Sequence, residues 1–363
     1  MELRTVGIEE EFIIVDPSDG RPRAIATAVL GASEKSLTDV EAELQLQQVE
    51  TGTQPCRTLD ELEKQVRSAR RAAAGAARSI GVEIAAMGTS PLPVEAGLTP
   101  SPRYERLARR FGMTAQEQLT CGCHVHVGVE SDEEGVAVLD RIRPWLAPLL
   151  ALSANSPFWQ GEDSRYSSYR SQVWSRWPSA GINDLFGSAR AYHDTVREMV
   201  ASETVLDTAM VYFDARLSQR YPTIEVRVAD VCLHSEDAVL IGALVRALVD
   251  TAATDWAAGR EPDPVRTEVL KLAAWRAGRS GLAGELIDPT TWRPAPALAV
   301  LENLRAHVRD ALEANGDYTE IVQLQNALTR RGNGAQVQRA VYRRTGRLRD
   351  VVRESVRRTF HEQ

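Results

Sequence analysis

Three short stretches of the chain set charged or ligating residues at every second position: Gly7-Ile8-Glu9-Glu10-Glu11, Cys121-Gly122-Cys123-His124-Val125-His126-Val127, and Ile224-Glu225-Val226-Arg227-Val228. Side chains alternate between the two faces of a strand. In extended chain, Glu9 and Glu11 therefore project together, as do His124 and His126, and Glu225 and Arg227. Their intervening neighbours are mostly apolar. Ionised groups in the middle of a half-buried sheet are costly to desolvate unless they are paired or bound to metal. The pattern predicts the wall of a charged site.

Hard divalent cations such as Mg²⁺ prefer carboxylate oxygen, and one added imidazole keeps Mg²⁺ or Mn²⁺ suitable. Glu9, Glu11, Glu50, His124 and Glu225 offer that mixture. Residues two apart on a strand lie about 6 to 7 Å apart, which suits neighbouring ions separated by about 3.5 to 4 Å. Zinc is disfavoured, because alternation sends the sulfurs of Cys121 and Cys123 to the face opposite His124 and His126. Both cysteines read as small buried hydrophobes. Glu10 shares a face with Phe12 and Ile14, which predicts a structural, ion-paired carboxylate. His126 suits a substrate carboxylate or a phosphate equally well. Between Glu43 and Thr51, alternation sets Glu43, Gln45 and Gln47 on one side and Leu44 and Leu46 on the other, before Gln48 and Glu50 continue the leucine side, so periodicity alone supports Glu50 only weakly.

The elements that must carry these residues can be read coarsely. A first strand over about Arg4 to Val15 ends at the turn Asp16-Pro17-Ser18-Asp19-Gly20. Thr58-Leu59-Asp60-Glu61 is a capping-box pattern that opens a long helix to about Ile80. Further expectations are a strand over Val82 to Met87, a helix over Ser101 to Phe111, the histidine strand over Gln118 to Val129, and one helix from Glu133 to about Ser153. A helix near Ala189 to Ser202, strands near Val211 to Leu217 and Thr223 to Val228, and mainly helices from about residue 235 follow. The basic segment Gln338 to Arg358 reads as helix with its arginines in solvent. Strands sharing one polar face suit an antiparallel sheet with helices on the other face, so the fold class is α+β. The chain, 1–363, reads as a single domain.

Composition narrows the function. The 363 residues, 43% hydrophobic, are enough for a large core, and 43 basic against 50 acidic side chains give a net charge of -7. That balance argues against nucleic acid or an anionic membrane as the main partner. The apolar run Ala238 to Ala253 is interrupted by Arg246 and Asp250 and is too short to cross a bilayer. The four cysteines are too few for a disulfide framework, and the N-terminus lacks a signal-peptide run, which points to the cytoplasm.

Taken in order, Gly-Ile-Glu-Glu-Glu-Phe at 7 to 12, Val49-Glu50-Thr51, Cys-His-Val-His-Val-Gly at 123 to 128, Asn155-Ser156-Pro157-Phe158-Trp159, Ser168-Tyr169-Arg170, Ile-Glu-Val-Arg at 224 to 227, Gly334-Ala335 and Gln338-Arg339-Ala340 resemble the carboxylate-amine ligases, also called glutamate-cysteine ligase type 2. More distantly, the Cys-His-Val-His and Glu-Val-Arg strands resemble those of glutamine synthetase. The resemblance implies a glutamine synthetase-like catalytic fold, a curved and mainly antiparallel sheet with helices on its outer face, in a homodimer or higher homo-oligomer. It implies metal ligation by Glu9, Glu11, Glu50, His124 and Glu225, with two or more Mg²⁺ or Mn²⁺ ions and ATP as co-substrate. It also implies that Arg227 contacts the transferring phosphate, and that Arg170 and His126 contact phosphate or the acidic substrate. One departure stands out: after Gly161-Glu162-Asp163 the family often reads Thr-Gly, where this chain has Ser164-Arg165. That departure bears on substrate choice if the loop reaches the site.

The activity so implied is ATP-dependent amide formation through an acyl phosphate, joining a glutamate-like γ-carboxylate to an amine, nominally cysteine. No feature of the sequence marks a thiol pocket. Three rival classes remain at this level: a phosphagen-type kinase, which would stop at a stable phosphorylated acceptor; a metal-dependent hydrolase, which would need no ATP; and a relative that binds nucleotide or metal without catalysis.

Overall fold

The fold is described here from a computed structural model, which covers residues 3–33 and 40–360. From the N-terminus the elements run β1 (Val6–Val15), α1 (Ala26–Ser33), β2 (Val40–Ala42), β3 (Gln48–Gly52), α2 (Leu59–Ser79), β4 (Glu83–Ala85), α3 (Pro102–Phe111), α4 (Met113–Gln116) and β5 (Gly122–Gly128). Next come α5 (Asp132–Ile142), α6 (Leu146–Ser153), β6 (Phe158–Trp159), β7 (Glu162–Asp163), α7 (Arg170–Trp174), α8 (Ala189–Ala201), β8 (Ala215–Leu217) and β9 (Thr223–Asp230). The rest is α9 (Ser235–Ala257), α10 (Thr267–Ser280), the hairpin β10 (Glu285–Asp288) and β11 (Arg293–Pro296), then α11 (Ala297–His307), α12 (Arg309–Ala314), α13 (Tyr318–Arg331), α14 (Gly334–Thr345) and α15 (Leu348–Phe360).

The main sheet has seven strands in the order β2-β3-β1-β5-β9-β8, with β4 paired to β1 as well. Every pairing within it is antiparallel. The architecture is α+β, as the shared polar face predicts. Ile13 pairs with Gln48 on one side and Ala85 on the other, so β4 continues along the edge that β5 leaves free.

Helices cover one face of this sheet. Ile8, Cys123, Val125, Val127, Ile224 and Val226 turn to that side and join Leu62 and Val66 of α2 and the apolar body of α9 in the main core. Cys121 lies in a second apolar cluster with Phe12, Ile14 and Ile84. Both cysteines are fully buried, as hydrophobes are. The helix α2 opens as its sequence dictates: the Thr58 hydroxyl accepts from the Glu61 amide at 3.2 Å while the Glu61 carboxylate accepts from the Thr58 amide at 3.2 Å.

Two predicted helices are each divided. Pro144 cannot donate an amide hydrogen to a helix turn, and the single helix expected over Glu133 to Ser153 becomes α5, a 3₁₀ turn over Arg143–Trp145, and α6. The C-terminal run splits into α14 and α15 around Gly346, which is left-handed at φ 66.

An ion pair joins the sheet to α2 among the hydrocarbon on the helical face. Glu10 accepts from Arg70 of α2 at 2.6 and 2.8 Å, and the same guanidinium donates to the carbonyls of Cys232 at 2.7 Å and Leu233 at 3.3 Å. Both side chains are almost wholly buried, so Glu10 has the structural role its strand face predicts. Removing one member of such a pair leaves the other charge buried alone. Arg70→Met is expected to lower unfolding stability in urea by about 3 to 5 kcal/mol, and the double variant Glu10→Gln/Arg70→Met by clearly less.

Candidate functional site

Antiparallel register sets the charged residues of neighbouring strands side by side. Glu9 lies opposite His124, Glu11 opposite Glu50, and Glu225 between His126 on one side and Arg216 on the other. Side chains directly opposite each other in an antiparallel pair lie within about 4.5 to 5.5 Å at Cβ. The result is a cleft of about 390 Å³ lined by Glu9, Glu11, Glu50, His124, His126, Glu225 and Arg227. All of the predicted metal-ligand candidates, with His126 and Arg227, come together there.

Within the cleft the ligating atoms form two groups, Glu9/His124/Glu225 and Glu11/Glu43/Glu50, with the atoms of each group inside 4.8 Å of one another. The Glu9 carboxylate lies 3.5 Å from His124 Nδ1 and 3.4 Å from His126 Nε2. His124 Nε2 lies 3.9 Å from Glu11, and it is buried without a hydrogen-bond partner among the described residues. The Glu11 carboxylate accepts the Gly122 amide at 2.6 Å. Oxygen donors with one imidazole form a set that fits a hard divalent cation. The unpartnered His124 nitrogen is a free lone pair of the kind a metal would take.

Electrostatics separate the two groups. Burial alone would raise Glu9, but the facing imidazoles of His124 and His126 outweigh it and hold the carboxylate well below its usual range. Burial, with Arg227 close by, pushes His124 down to about 4, so the imidazole is neutral near neutral pH. Burial would likewise raise Glu225, yet Arg227 and Arg216 hold it low. In the other group burial and the Glu43 charge push Glu11 up to about 7 and raise Glu50 well above the carboxylate range. Three crowded carboxylates without a counter-cation keep protons.

The cationic end of the face is built on β8 and β9. Arg216 donates to Glu225 at 2.8 and 3.2 Å, and Arg227 contacts the same carboxylate. The guanidiniums of Arg227 and Arg170 both stand over the Trp174 ring, at 5.5 and 5.6 Å from its centre. Arg170 is buried and its Nη2 donates to the Arg227 carbonyl at 3.3 Å. It reaches the sheet at Gly122, where an added Cβ would collide with the Arg170 guanidinium and stand 3.0 Å from His124 Nε2. Arg170 thus ends the row Gly122, His124, His126, yet it lines a second cavity behind Trp174 rather than the acidic cleft itself. Its backbone is fixed from below: the Ser156 hydroxyl accepts the Arg170 amide at 3.0 Å and donates to Asp230 at 2.7 Å, and Asp230 also accepts from Asn155 N and Ser168 Oγ at 2.8 Å.

Two residues of the face escape the sequence reading. Glu43 was expected on the side opposite Glu50, but strand β3 begins only at Gln48, and the irregular chain before it turns Glu43 toward Glu11 and Glu50. Arg216 sits at the alternating position of β8, where the sequence predicts a strand, and its pairing with Glu225 is visible only once the register is known.

The Ser164-Arg165 turn stands apart from the cleft. Arg165 is exposed, lies outside the cleft lining, and has φ 65, the left-handed conformation that the family's glycine would adopt freely. Ser164 donates to the Pro157 carbonyl at 2.8 Å, so the turn persists with local strain and no reach into the cleft.

A family model described as glutamate-cysteine ligase family 2 matches residues 5–362. A relative from Streptomyces avermitilis, provisionally named glutamate–cysteine ligase 2-1, is 54% identical over 360 residues, covering 98% of this chain and 99% of its own. One from Streptomyces coelicolor, with the provisional name glutamate–cysteine ligase 2, is also 54% identical over 360 residues, with the same coverage. Among solved structures, a glutamate–cysteine ligase of Francisella tularensis in complex with AMP superposes with a TM-score of 0.71 at 13% identity, covering 100% of this chain and 90% of its own, which is a likeness of fold. Among the described residues no helix is long and apolar enough to cross a membrane.

Two outcomes follow from the geometry. Because burial and the Glu43 charge push Glu11 up to about 7 and raise Glu50 well above the usual carboxylate range, a cation entering this group displaces protons. Mn²⁺ affinity is therefore expected to fall as pH drops below 7, by about tenfold per unit for each proton displaced, with proton release detectable by titration calorimetry in buffers of different ionisation enthalpy. Arg165→Gly should raise thermal unfolding stability by up to about 1 kcal/mol, the reverse of the usual effect of introducing glycine.

Proposed function

We propose, for a chain that belongs to glutamate-cysteine ligase family 2, that the cleft activates a glutamate-like γ-carboxylate with ATP and joins it to an amine. The chain is an ATP-dependent ligase of the glutamate–cysteine ligase type. The observation that carries the substrate reading is the gradient along one sheet face: two adjoining groups of oxygen donors with one imidazole at one end, and Arg227, Arg216 and Arg170 at the other.

A carboxylate resists attack by an amine. One of its oxygens therefore first bonds to the γ-phosphorus of ATP while ADP leaves, and the resulting acyl phosphate is then attacked at carbon by the amine nitrogen, with phosphate departing with the bonding pair. Both steps gather negative charge, and fixed cations are worth most where that charge develops. Two or more Mg²⁺ or Mn²⁺ ions, held by Glu9, Glu11, Glu50, His124 and Glu225 with Glu43 beside them, would supply the positive field that a protein of net charge -7 lacks.

Arg227 is assigned to the transferring phosphoryl group. Its guanidinium is held between Glu225 and the Trp174 ring; burial would lower its pKa, but the Glu225 carboxylate outweighs that and keeps it charged. Arg216 restrains Glu225 from the other side. His126, with Nδ1 3.0 Å from the Thr223 hydroxyl and Nε2 without a hydrogen-bond partner among the described residues, is assigned to the phosphate or the substrate carboxylate, as is Arg170. No protein nucleophile is needed. The proposal includes a cytoplasmic homo-oligomer, on the strength of the family likeness.

The test is phosphate release with Mg²⁺, ATP and glutamate across a panel of amines, with mass analysis of the product. The expected product is a γ-glutamyl amide; a phosphorylated acceptor formed without free phosphate, or turnover without ATP, would overturn the proposal. Glu225→Ala and His124→Ala should each reduce kcat by about a hundredfold or more while remaining folded by circular dichroism. Cys123→Ala, on the core side of the same strand, should keep most activity.

A further inference from the structure

The polar residues of the acidic cleft are not all charged. Gln48, Gln118 and Thr120 also line it, and all three are nearly buried. Gln48 opens β3 and shares its face with Glu50, two residues on, with Ile13 opposite on β1. The three side chains form one relay. Trp177 Nε1 donates to Gln118 Oε1 at 2.9 Å, Gln118 Nε2 donates to the Thr120 hydroxyl at 2.5 Å, and Gln48 Nε2 donates to the Thr120 carbonyl at 3.2 Å. The relay leaves one atom over: Gln48 Oε1 is buried with no hydrogen-bond partner among the described residues.

The bond to Thr120 fixes which end of the Gln48 amide is free. Turning the amide over would set two carbonyl oxygens against each other and give up that bond, so the atom left over is an acceptor. A buried acceptor is unfavourable until something supplies a donor. Gln45 and Gln338 also leave an amide oxygen unpaired, but neither lines the cleft. Gln48 is the glutamine whose missing donor a substrate can bring.

The surroundings narrow the donor. Glu11, Glu43 and Glu50 line the same cleft, and their field favours a positively charged donor over a neutral one. The acid substrate turns its reacting carboxylate toward Arg227, which leaves its other groups to meet what lies beyond Glu11 and Glu50. We propose that Gln48 Oε1 accepts a hydrogen bond from the α-ammonium group of that acid, so that the cleft selects an α-amino acid over a dicarboxylate of the same length without the amino group. The inference rests on the ligase reading and specifies its acid substrate. An amide suits the task better than a further carboxylate, because it offers an oxygen to the ammonium group without a charge that would draw a metal ion to itself.

The test follows hydroxamate formation with ATP, Mg²⁺ and hydroxylamine, using either L-glutamate or glutarate, which keeps both carboxylates and lacks the amino group. The wild-type protein should favour glutamate by about tenfold or more in kcat/KM. Gln48→Met, close in size but without the acceptor, should raise the glutamate KM about tenfold or more and change kcat/KM for glutarate by less than about threefold. Gln48→Asn, which keeps an amide but draws its oxygen back by one methylene, should give the same split if Gln48→Met fails to fold. Mn²⁺ affinity, read by titration calorimetry, should be unchanged in either variant. Equal or better use of glutarate by the wild-type protein, equal losses with both acids in the folded variants, or a fall in Mn²⁺ affinity would overturn the assignment and leave the ligase reading standing. If the wild-type protein forms no hydroxamate from either acid, the ligase reading fails and this inference with it.

Discussion

Mutual repulsion among carboxylates is the constraint around which this protein is built. Glu9, Glu11, Glu43, Glu50 and Glu225 share one cleft, and two like charges 4 Å apart near a protein surface repel by about 4 kcal/mol. Such a face holds its shape only if the backbone beneath it cannot yield. The antiparallel ladder provides that rigidity, and the opposite side of the same strands is sealed against α2 and α9 by the main core. Alternation within each strand thus links the two: every second residue anchors hydrocarbon so that its neighbours can be held where they would not settle by themselves.

Charge along the face is graded. Toward β3 the acids stand together and retain protons; toward β8 and β9 the arginines outweigh them. His124 lies between these regimes, neutral and with one nitrogen unpartnered. A reaction that moves a phosphoryl group between two anionic partners needs both ends, one to gather cations and one to carry fixed positive charge. Trp174 joins the arginine end to the chamber behind it, since its ring carries two guanidiniums and borders both cavities.

Much of this was legible in the chain before any coordinates. Strand periodicity places Glu9, Glu11, His124, His126, Glu225 and Arg227 on common faces, and it also assigns Glu10 and the cysteines to the interior. The capping box at Thr58 predicts the start of α2 to the residue. What periodicity cannot supply is register between strands distant in sequence, which is why Arg216 escaped notice and Glu50 had only weak support. Glu43 was misread for a different reason. An irregular segment carries no period, and the alternation extrapolated through it gives the wrong side. The division at Pro144 was missed because the apolar pattern runs on across it, whereas the proline's backbone constraint does not.

The network behind Arg170 joins distant parts of the chain. Asn155 donates to the carbonyls of Ala86 and Val231 at 2.9 and 2.8 Å, and Gln338 of α14 donates to the Asn155 carbonyl and side-chain oxygen at 2.9 and 2.7 Å. Gly334 allows that contact, since a Cβ there would overlap Asn155. Glu9 and Glu11 lie far from α14 in the chain, yet α14 locks the scaffold beneath Arg170. The acidic and basic halves of the site are thus held together only by contacts between segments distant in sequence, and loosening the α14 contact to Asn155 would free the basic half while leaving the acidic strands paired.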